Sequence, residues 1–164
     1  MNLDFERKEE INYSIIIPHK NSTVLLERCL KSIPCRKDVQ VIVVDDNSEN
    51  QEELNAVVGG FSQVELILTQ GGGAGHARNE GLKYIRGKWV LFADADDFYN
   101  KNAFSILDNY INSDNDVIYF FANSLDVNTL LPTPREKDLQ NIYEKYDSDN
   151  IRSADYIRFK NWAP

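Results

Sequence analysis

Cysteine is scarce in this chain. Two residues, Cys29 and Cys35, stand among 164, too few for a disulfide scaffold or a cysteine-rich zinc site, and they indicate a reduced, cytoplasmic setting. Long hydrophobic runs are missing as well. None approaches the ~18 residues that a spanning helix needs, which leaves peripheral association at the inner face of the membrane as the closest expected contact with lipid. Residues 1–10 mix charges and carry no secretory-type apolar core. Basic residues are outnumbered, 18 against 26 acidic ones, for a net charge of −8, which argues against nucleic acid as a partner. Against these shortages, 42% of residues are hydrophobic and 11% aromatic, so wholesale disorder is excluded. The length suits one domain that removes about 70% of its unfolded surface from water.

Short apolar runs alternate with helical stretches. Residues 13–17 (YSIII), 39–44 (VQVIVV), 64–68 (VELIL), 88–93 (KWVLFA) and 116–122 (DVIYFFA) read as strands, and their near-continuous apolar character fits a parallel sheet covered on both faces. Between them, residues 23–33 place Leu26, Cys29, Leu30 and Ile33 on one stripe that Pro34 ends. Ser48 and Gln51 have capping-box spacing for a second helix. Residues 74–86 align Ala77, Gly81 and Ile85, with Gly87 as a left-handed end residue. Asn100 is placed to cap a helix carrying Ala103, Phe104, Leu107 and Ile111. The alternation predicts an α/β fold with right-handed crossovers. After Ala122 the rhythm breaks: residues 123–133 are turn-rich, and 135–146 and 153–160 are moderately helical. The expected organisation is an α/β core over 1–122 followed by 123–164 as the incomplete start of a further half of the same domain.

In open parallel sheets ligands bind beyond the carboxyl ends of the strands. The residues expected there are Pro18, His19, Lys20 and Asn21; Asp45, Asp46, Asn47 and Ser48; Gly71 to Gly75; and Asp94 to Asp97. Polar groups, glycines and carboxylates thus gather on one edge of an otherwise apolar sheet. The sharpest signal is FADADDF at 92–98, where a buried strand ends in three carboxylates within four residues. Like charges so close repel, and a packed fold tolerates them poorly without a cation. If the chain stays extended, Asp94 and Asp96 share a side, and hard oxygen ligands of this kind suit Mg²⁺ or Mn²⁺, with phosphate oxygens and water completing the shell. A plain acidic turn before a helix would explain one of the three. In VIVVDDNS (41–48), two carboxylates at a strand end can accept hydrogen bonds from a base imide or a ribose hydroxyl; ordinary N-capping accounts for Ser48 and only partly for the pair. The glycines of GGGAGHARN (71–79) permit close approach to an anion, and Arg78 could meet a phosphate bidentately. That run does not fit G-x-G-x-x-G, since His76 or Arg78 stands at the last position. His19 is a candidate wall of the site.

The ordered set SIIIPHKN, VIVVDDNS and GGGAGHARNEGLKYIRGKWVLFADADDF resembles the family 2 glycosyltransferases of GT-A (Rossmann-like) fold, with their P-x-x-N, D-D-x-S, G-x-x-x-A-R-N-x-G and D-x-D elements. The likeness runs from Ser14 to about Tyr99 and on through the next helix and strand to Ala122. It implies a nucleotide-diphosphate sugar donor, most often UDP-linked, a Mn²⁺ or Mg²⁺ ion, and a saccharide or other hydroxyl acceptor in polysaccharide or glycoconjugate synthesis, with inversion at the anomeric carbon. Carried over by position, Pro18, His19 and Asn21 line the nucleotide pocket, Asp46 with Asp45 and Ser48 meets the uracil, and Gly75 and Arg78 approach the base or phosphates. Asp94 and Ala95 lie at the ribose or sugar, and Asp96, with Asp94, holds the metal. The catalytic base of this family belongs to a later acidic motif that residues 123–164 do not match. Asp126, Asp138, Asp147, Asp149 and Asp155 qualify by type only, and the base is expected beyond Pro164. The chain then reads as a donor-binding portion with little or no turnover.

Two other readings carry different tests. A non-catalytic nucleotide-binding fragment would share the donor contacts. A D-x-D phosphatase of the haloacid-dehalogenase type needs its motif on the first strand, with Thr or Val two residues after the second Asp; here Phe98 stands there and the motif follows the fourth strand. An EF-hand loop is excluded by Tyr99 where its glycine belongs.

Overall fold

The computed structural model describes residues 10–118, 122–126 and 128–136. The chain divides into two compact units at Ser113/Asp114. The first holds four strands, β1 (Tyr13–His19), β2 (Val39–Asp45), β3 (Val64–Leu68) and β4 (Trp89–Phe92), and four helices, α1 (Thr23–Ser32), α2 (Gln51–Val58), α3 (Gly73–Gly81) and α4 (Ala103–Leu107). The strands form one parallel sheet in the order β3-β2-β1-β4, the α/β architecture expected. The chain builds outward from β1 through β2 to β3, then returns to place β4 on the far side of β1. That reversal is a topological switch point, where open α/β sheets form their ligand crevice.

Every residue of β1 and β2 is buried, whereas β3 and β4 are half-buried. The continuous apolar runs therefore mark the centre of the sheet, and its edges are only partly covered among the described residues. One face packs Ile15, Ile17, Val41 and Val43 against Leu26, Cys29, Leu30 and Leu54 from α1 and α2, with Phe104 and Leu107 of α4. The other packs Ile16, Ile42 and Val44 against Ala77 of α3. Each fully buried Ile or Leu contributes about 1.5–3 kcal/mol. Helix α3 can lie close because Gly81 has no side chain; a Cβ there would stand 2.6 Å from a methyl of Ile16. Burial pushes the Cys29 thiol up to about 12, the neighbouring carboxylates adding to it, so it is a packed, unreactive group.

Several local expectations shift. The box of α2 is Asn50 with Glu53, not Ser48 with Gln51: the Asn50 side chain accepts the Glu53 amide at 3.1 Å and donates to its carboxylate at 3.0 Å. Helix α3 ends at Gly81, passing into a 3₁₀ turn at Leu82–Tyr84, so Ile85 stays 37% exposed rather than extending the buried stripe. Gly87 is not a left-handed cap. Its absent Cβ would lie 2.5 Å from the Ser14 amide, and its own amide donates to Ser14 Oγ at 2.8 Å. Ser14 and Gln40, polar residues buried inside β1 and β2, bond to each other at 2.6 Å and take the Arg86 amide, which pins the turn leading into β4. Asn102 occupies the N-terminal flanking position of α4 without a capping side-chain bond; Asn100 Oδ1 accepts the Asn102 amide, and the helix ends in a 3₁₀ turn at Asp108–Tyr110 before Ile111.

In the second unit, residues 116–118 and 122 are not strand, so the described part of the expected fifth strand is irregular. Residues 123–126 and 128–133 are turn-rich, with Leu125 and Pro132 joined in an antiparallel bridge. Residues 134–136 begin a helical turn; the helices expected over 135–146 and 153–160 otherwise lie outside the described residues. No helix of the described residues is long and apolar enough to cross a membrane.

Candidate functional site at the carboxyl edge of the sheet

Strand register sets the site. Pairing of β1 with β2 places His19 opposite Asp45, and pairing with β4 ends at Ile16–Phe92, after which the Ala93 amide still bonds to the Ile16 carbonyl at 3.1 Å. The loops following β1, β2 and β4 therefore leave the sheet side by side, and Pro18, the penultimate residue of β1, is buried beneath them.

Asp45 is fully buried, and its carboxylate is committed. One oxygen accepts from Ser48 Oγ at 2.5 Å and faces His19 Nδ1 at 2.9 Å; the other accepts the Ser48 amide at 2.9 Å and the Gln51 amide group at 2.8 Å. Burial opposes its charge, but the bonds from Ser48, Gln51 and His19 outweigh it and hold the carboxyl below its ordinary value. With its four acceptor positions filled, Asp45 is the anchor of the loop. His19, 2% exposed, belongs to the same interior and does not wall an open cleft. Ser48 Oγ also accepts the Asn21 amide at 2.9 Å, and the Asn21 side chain accepts the Glu49 amide at 2.9 Å. Asn21 (φ 51°) and Asn47 (φ 63°) hold the left-handed conformation both turns require.

Asp46 faces the glycine loop. The Gly73 amide bonds to its two oxygens at 2.9 and 3.1 Å, and Lys20 Nζ stands 3.5 Å away with its side chain 56% exposed. Gly71, Gly72 and Gly73 all have positive φ, and a Cβ on Gly72 would sit 2.7 Å from the His76 ring. Gly75 is exposed, with open space where a Cβ would point.

Beyond β4 the chain turns. The strand stops at Phe92, and the Asp97 amide closes on the Asp94 carbonyl at 3.0 Å, so a turn replaces the extended alternation expected to align Asp94 with Asp96. Ala95 is tucked inward while Asp94 and Asp96 are exposed. Arg28 of α1, a residue the sequence reading passed over, fastens the turn by donating to the Asp96 carbonyl at 2.5 Å, its guanidinium lying 5.3 Å over the Phe98 ring. Arg78 of α3 is ion-paired with Asp94. Desolvation pushes the Asp97 carboxyl above its ordinary value, and the charges of Asp94 and Asp96 push the same way. Among the described residues, nothing bonds to the Asp96 carboxylate, and no three His, Cys, Asp or Glu side chains converge as a cage for an ion. One free and one shared carboxylate suit a hard cation that draws its other ligands from phosphate and water.

Asp126, a base candidate by type, accepts the Asn128 and Thr129 amides and the Thr129 hydroxyl. These bonds, led by Thr129, lower its pKa, and it forms a turn. Asp138, Asp147, Asp149 and Asp155 lie outside the described residues.

Comparison with known proteins identifies relatives of the chain. Over 106 residues the chain is 38% identical to the poly(ribitol-phosphate) beta-N-acetylglucosaminyltransferase TarS of Staphylococcus aureus, a match covering 57% of this chain and 18% of that protein. Over 98 residues it is 34% identical to the poly(ribitol-phosphate) beta-glucosyltransferase of Bacillus spizizenii, covering 55% and 16%. The crystal structure of S. aureus TarS 1–349 superposes with a TM-score of 0.55 at 28% identity, over 62% of this chain and 32% of that one. The chain spans less than a fifth of the length of these curated relatives. The profile of glycosyl transferase family 2 matches residues 14–160, and the chain belongs to that family.

Proposed function

We propose that this chain forms the donor side of a glycosyltransferase that moves a sugar, with inversion, from a nucleotide-diphosphate sugar to an acceptor hydroxyl. The observation that carries the reading is the exposed Asp96 carboxylate at the switch-point edge, presented beside the Arg78–Asp94 pair and on the same edge as Asp46. An exposed carboxylate with no protein partner among the described residues is open to a hard cation that draws its other ligands from a diphosphate.

Asp46 is the group for a uracil imide. A carboxylate offers about four acceptor positions; the Gly73 amide and Lys20 leave room for a ligand N–H. Asn21 borders the nucleoside with Pro18 buried behind it, and Gly75 lets a ligand approach the start of α3. Arg78 has two roles open to it: pairing with Asp94 while the site is empty and meeting phosphate oxygens when the donor arrives. Asp94 is then free for ribose or sugar hydroxyls. Asp96, with Asp94 beside it, would hold Mn²⁺ or Mg²⁺. Bound there, the ion would supply positive charge against the charge that builds on the departing nucleoside diphosphate. Inversion further requires a base to take the acceptor proton. The two relatives named above act, by name, on poly(ribitol-phosphate); we take the acceptor here to be a hydroxyl of a surface polymer of saccharide or polyol-phosphate type.

Calorimetry with UDP, pyrophosphate and inorganic phosphate, each with and without Mn²⁺, tests the reading. UDP binding that requires Mn²⁺ supports it. Binding of free phosphate with no preference for UDP supports the phosphatase reading instead.

A further inference from the structure

His19 occupies a position that the proposed chemistry does not use. It is 2% exposed, and both ring nitrogens are engaged. The Ser22 backbone amide donates to Nε2 at 3.2 Å. A backbone N–H can only donate, so Nε2 carries no proton. In the neutral ring the proton then sits on Nδ1, which faces Asp45 Oδ1 at 2.9 Å. The ring is thereby specified as one tautomer by two partners on two different loops.

The consequences travel along a closed circuit. Asp45 Oδ1 also takes the Ser48 hydroxyl; Ser48 Oγ takes the Asn21 amide; Asn21 Oδ1 takes the Glu49 amide. The Asp46 amide bonds to the His19 carbonyl at 2.8 Å. Four of these bonds cross between the loop after β1 and the loop after β2, and two of the four involve His19. Asn21 is exposed on this frame, and Asp46, 5% exposed, sits at its edge against the Gly73 amide. Removing the imidazole would leave the Ser22 amide and one Asp45 oxygen each short of a buried partner, which is costly, and the frame would relax to find replacements.

We propose that His19, as the neutral Nδ1–H tautomer, is a positioning residue that sets Asn21 and Asp46 for the nucleoside half of the donor while leaving the diphosphate half at Asp94–Asp96 unaffected. This rests on the donor reading given above. The diphosphate half is independent because its turn is held by Arg28 and by its own backbone.

The tautomer is read without any ligand, from the ¹⁵N shifts of the imidazole in the intact chain. A protonated Nδ1 with a bare Nε2 is expected; a proton on Nε2 overturns the proposal. Binding is then compared in wild type, His19→Ala and His19→Asn, whose side-chain amide reaches the Nδ1 position and can still donate to Asp45. Calorimetry with Mn²⁺ should show UDP weakened roughly tenfold in His19→Ala, pyrophosphate changed less than about twofold, and UDP affinity largely restored in His19→Asn. Undiminished UDP binding by His19→Ala overturns the proposal, as does equal loss for UDP and pyrophosphate. If His19→Ala does not fold, the tautomer and the Asn variant still decide. Wild-type protein that ignores UDP but shows the expected tautomer contradicts the donor reading, and with it the nucleoside role assigned to His19.

Discussion

Both carboxylate oxygens of Asp46 lie within hydrogen-bonding distance of the Gly73 amide, at 2.9 and 3.1 Å. This one contact joins the end of β2 to the glycine loop that starts α3, two segments separated by 27 residues. It makes them a single rim. Asp46→Asn keeps an acceptor for the Gly73 amide but turns half of the carboxylate into a donor. We expect UDP affinity to fall by about 1–3 kcal/mol, the worth of one or two hydrogen bonds, with pyrophosphate affinity unchanged by calorimetry. Equal losses for both would show that Asp46 does not read the base.

The glycines of that rim separate cleanly by cause. Gly72 has φ 143°, and a Cβ there would strike the His76 ring, so Gly72→Ala should cost about 1–3 kcal/mol of stability. Gly75 meets nothing, and its φ is ordinary. Gly75→Ala should leave the melting temperature unchanged or raise it, since alanine is favoured over glycine in a helix by about 1 kcal/mol. If Gly75 exists to admit a ligand, UDP binding falls in that variant even though the fold gains. Thermal melts and calorimetry on the same samples distinguish the two effects.

Removal of the Asp96 carboxylate should abolish Mn²⁺-dependent donor binding with little effect on the fold, because among the described residues nothing is bonded to it. Asp96→Ala is expected to melt within about 2 °C of wild type, as surface changes away from packed features cost less than about 0.5 kcal/mol. Unchanged affinity for UDP with Mn²⁺ would remove Asp96 from the site.

Acid should unfold the protein in a defined window. The Arg36 hydrogen bond, helped by Asn12, lowers Asp38 from 3.8 to about 2, and Asp45 is also held below its ordinary value, burial being outweighed by Ser48, Gln51 and His19. A carboxyl with a depressed folded value stabilises the fold above its unfolded value and loses that stabilisation as pH falls through the folded one. The raised Asp97 carboxyl acts with the opposite sign, adding stability as pH falls through its folded value, so circular dichroism should show the decline set by Asp38 and Asp45 from about pH 4 towards 2. Asp38→Asn should flatten that decline.

The sheet was legible because continuous apolar runs report burial on both faces, and β3 matches its expected span residue for residue. The carboxyl-edge loops were legible for the complementary reason: carboxylates and glycines end an apolar run, although Asp45 shows that such a group can serve the loop frame alone. What the sequence concealed was which carboxylates remain available. Asp45 and Asp46 are adjacent and chemically identical, yet register sends one inward to His19, Ser48 and Gln51 and the other towards Gly73. Arg28 was missed because it reaches the Asp96 carbonyl across 68 residues, a separation that only the fold closes, and Gln51 because its bond to Asp45, six residues back, depends on the turn between them. Gly87 was misread because close approach to Ser14, and not a left-handed turn, demands it.

Crystals soaked with UDP and Mn²⁺ put the question most directly. We expect an anomalous manganese peak bonded to the Asp96 carboxylate and to diphosphate oxygens, the uracil imide on Asp46, and Arg78 drawn from Asp94 to phosphate. UDP bound away from this edge, or no manganese at Asp96 while Arg78 still holds Asp94, would contradict the donor-site assignment.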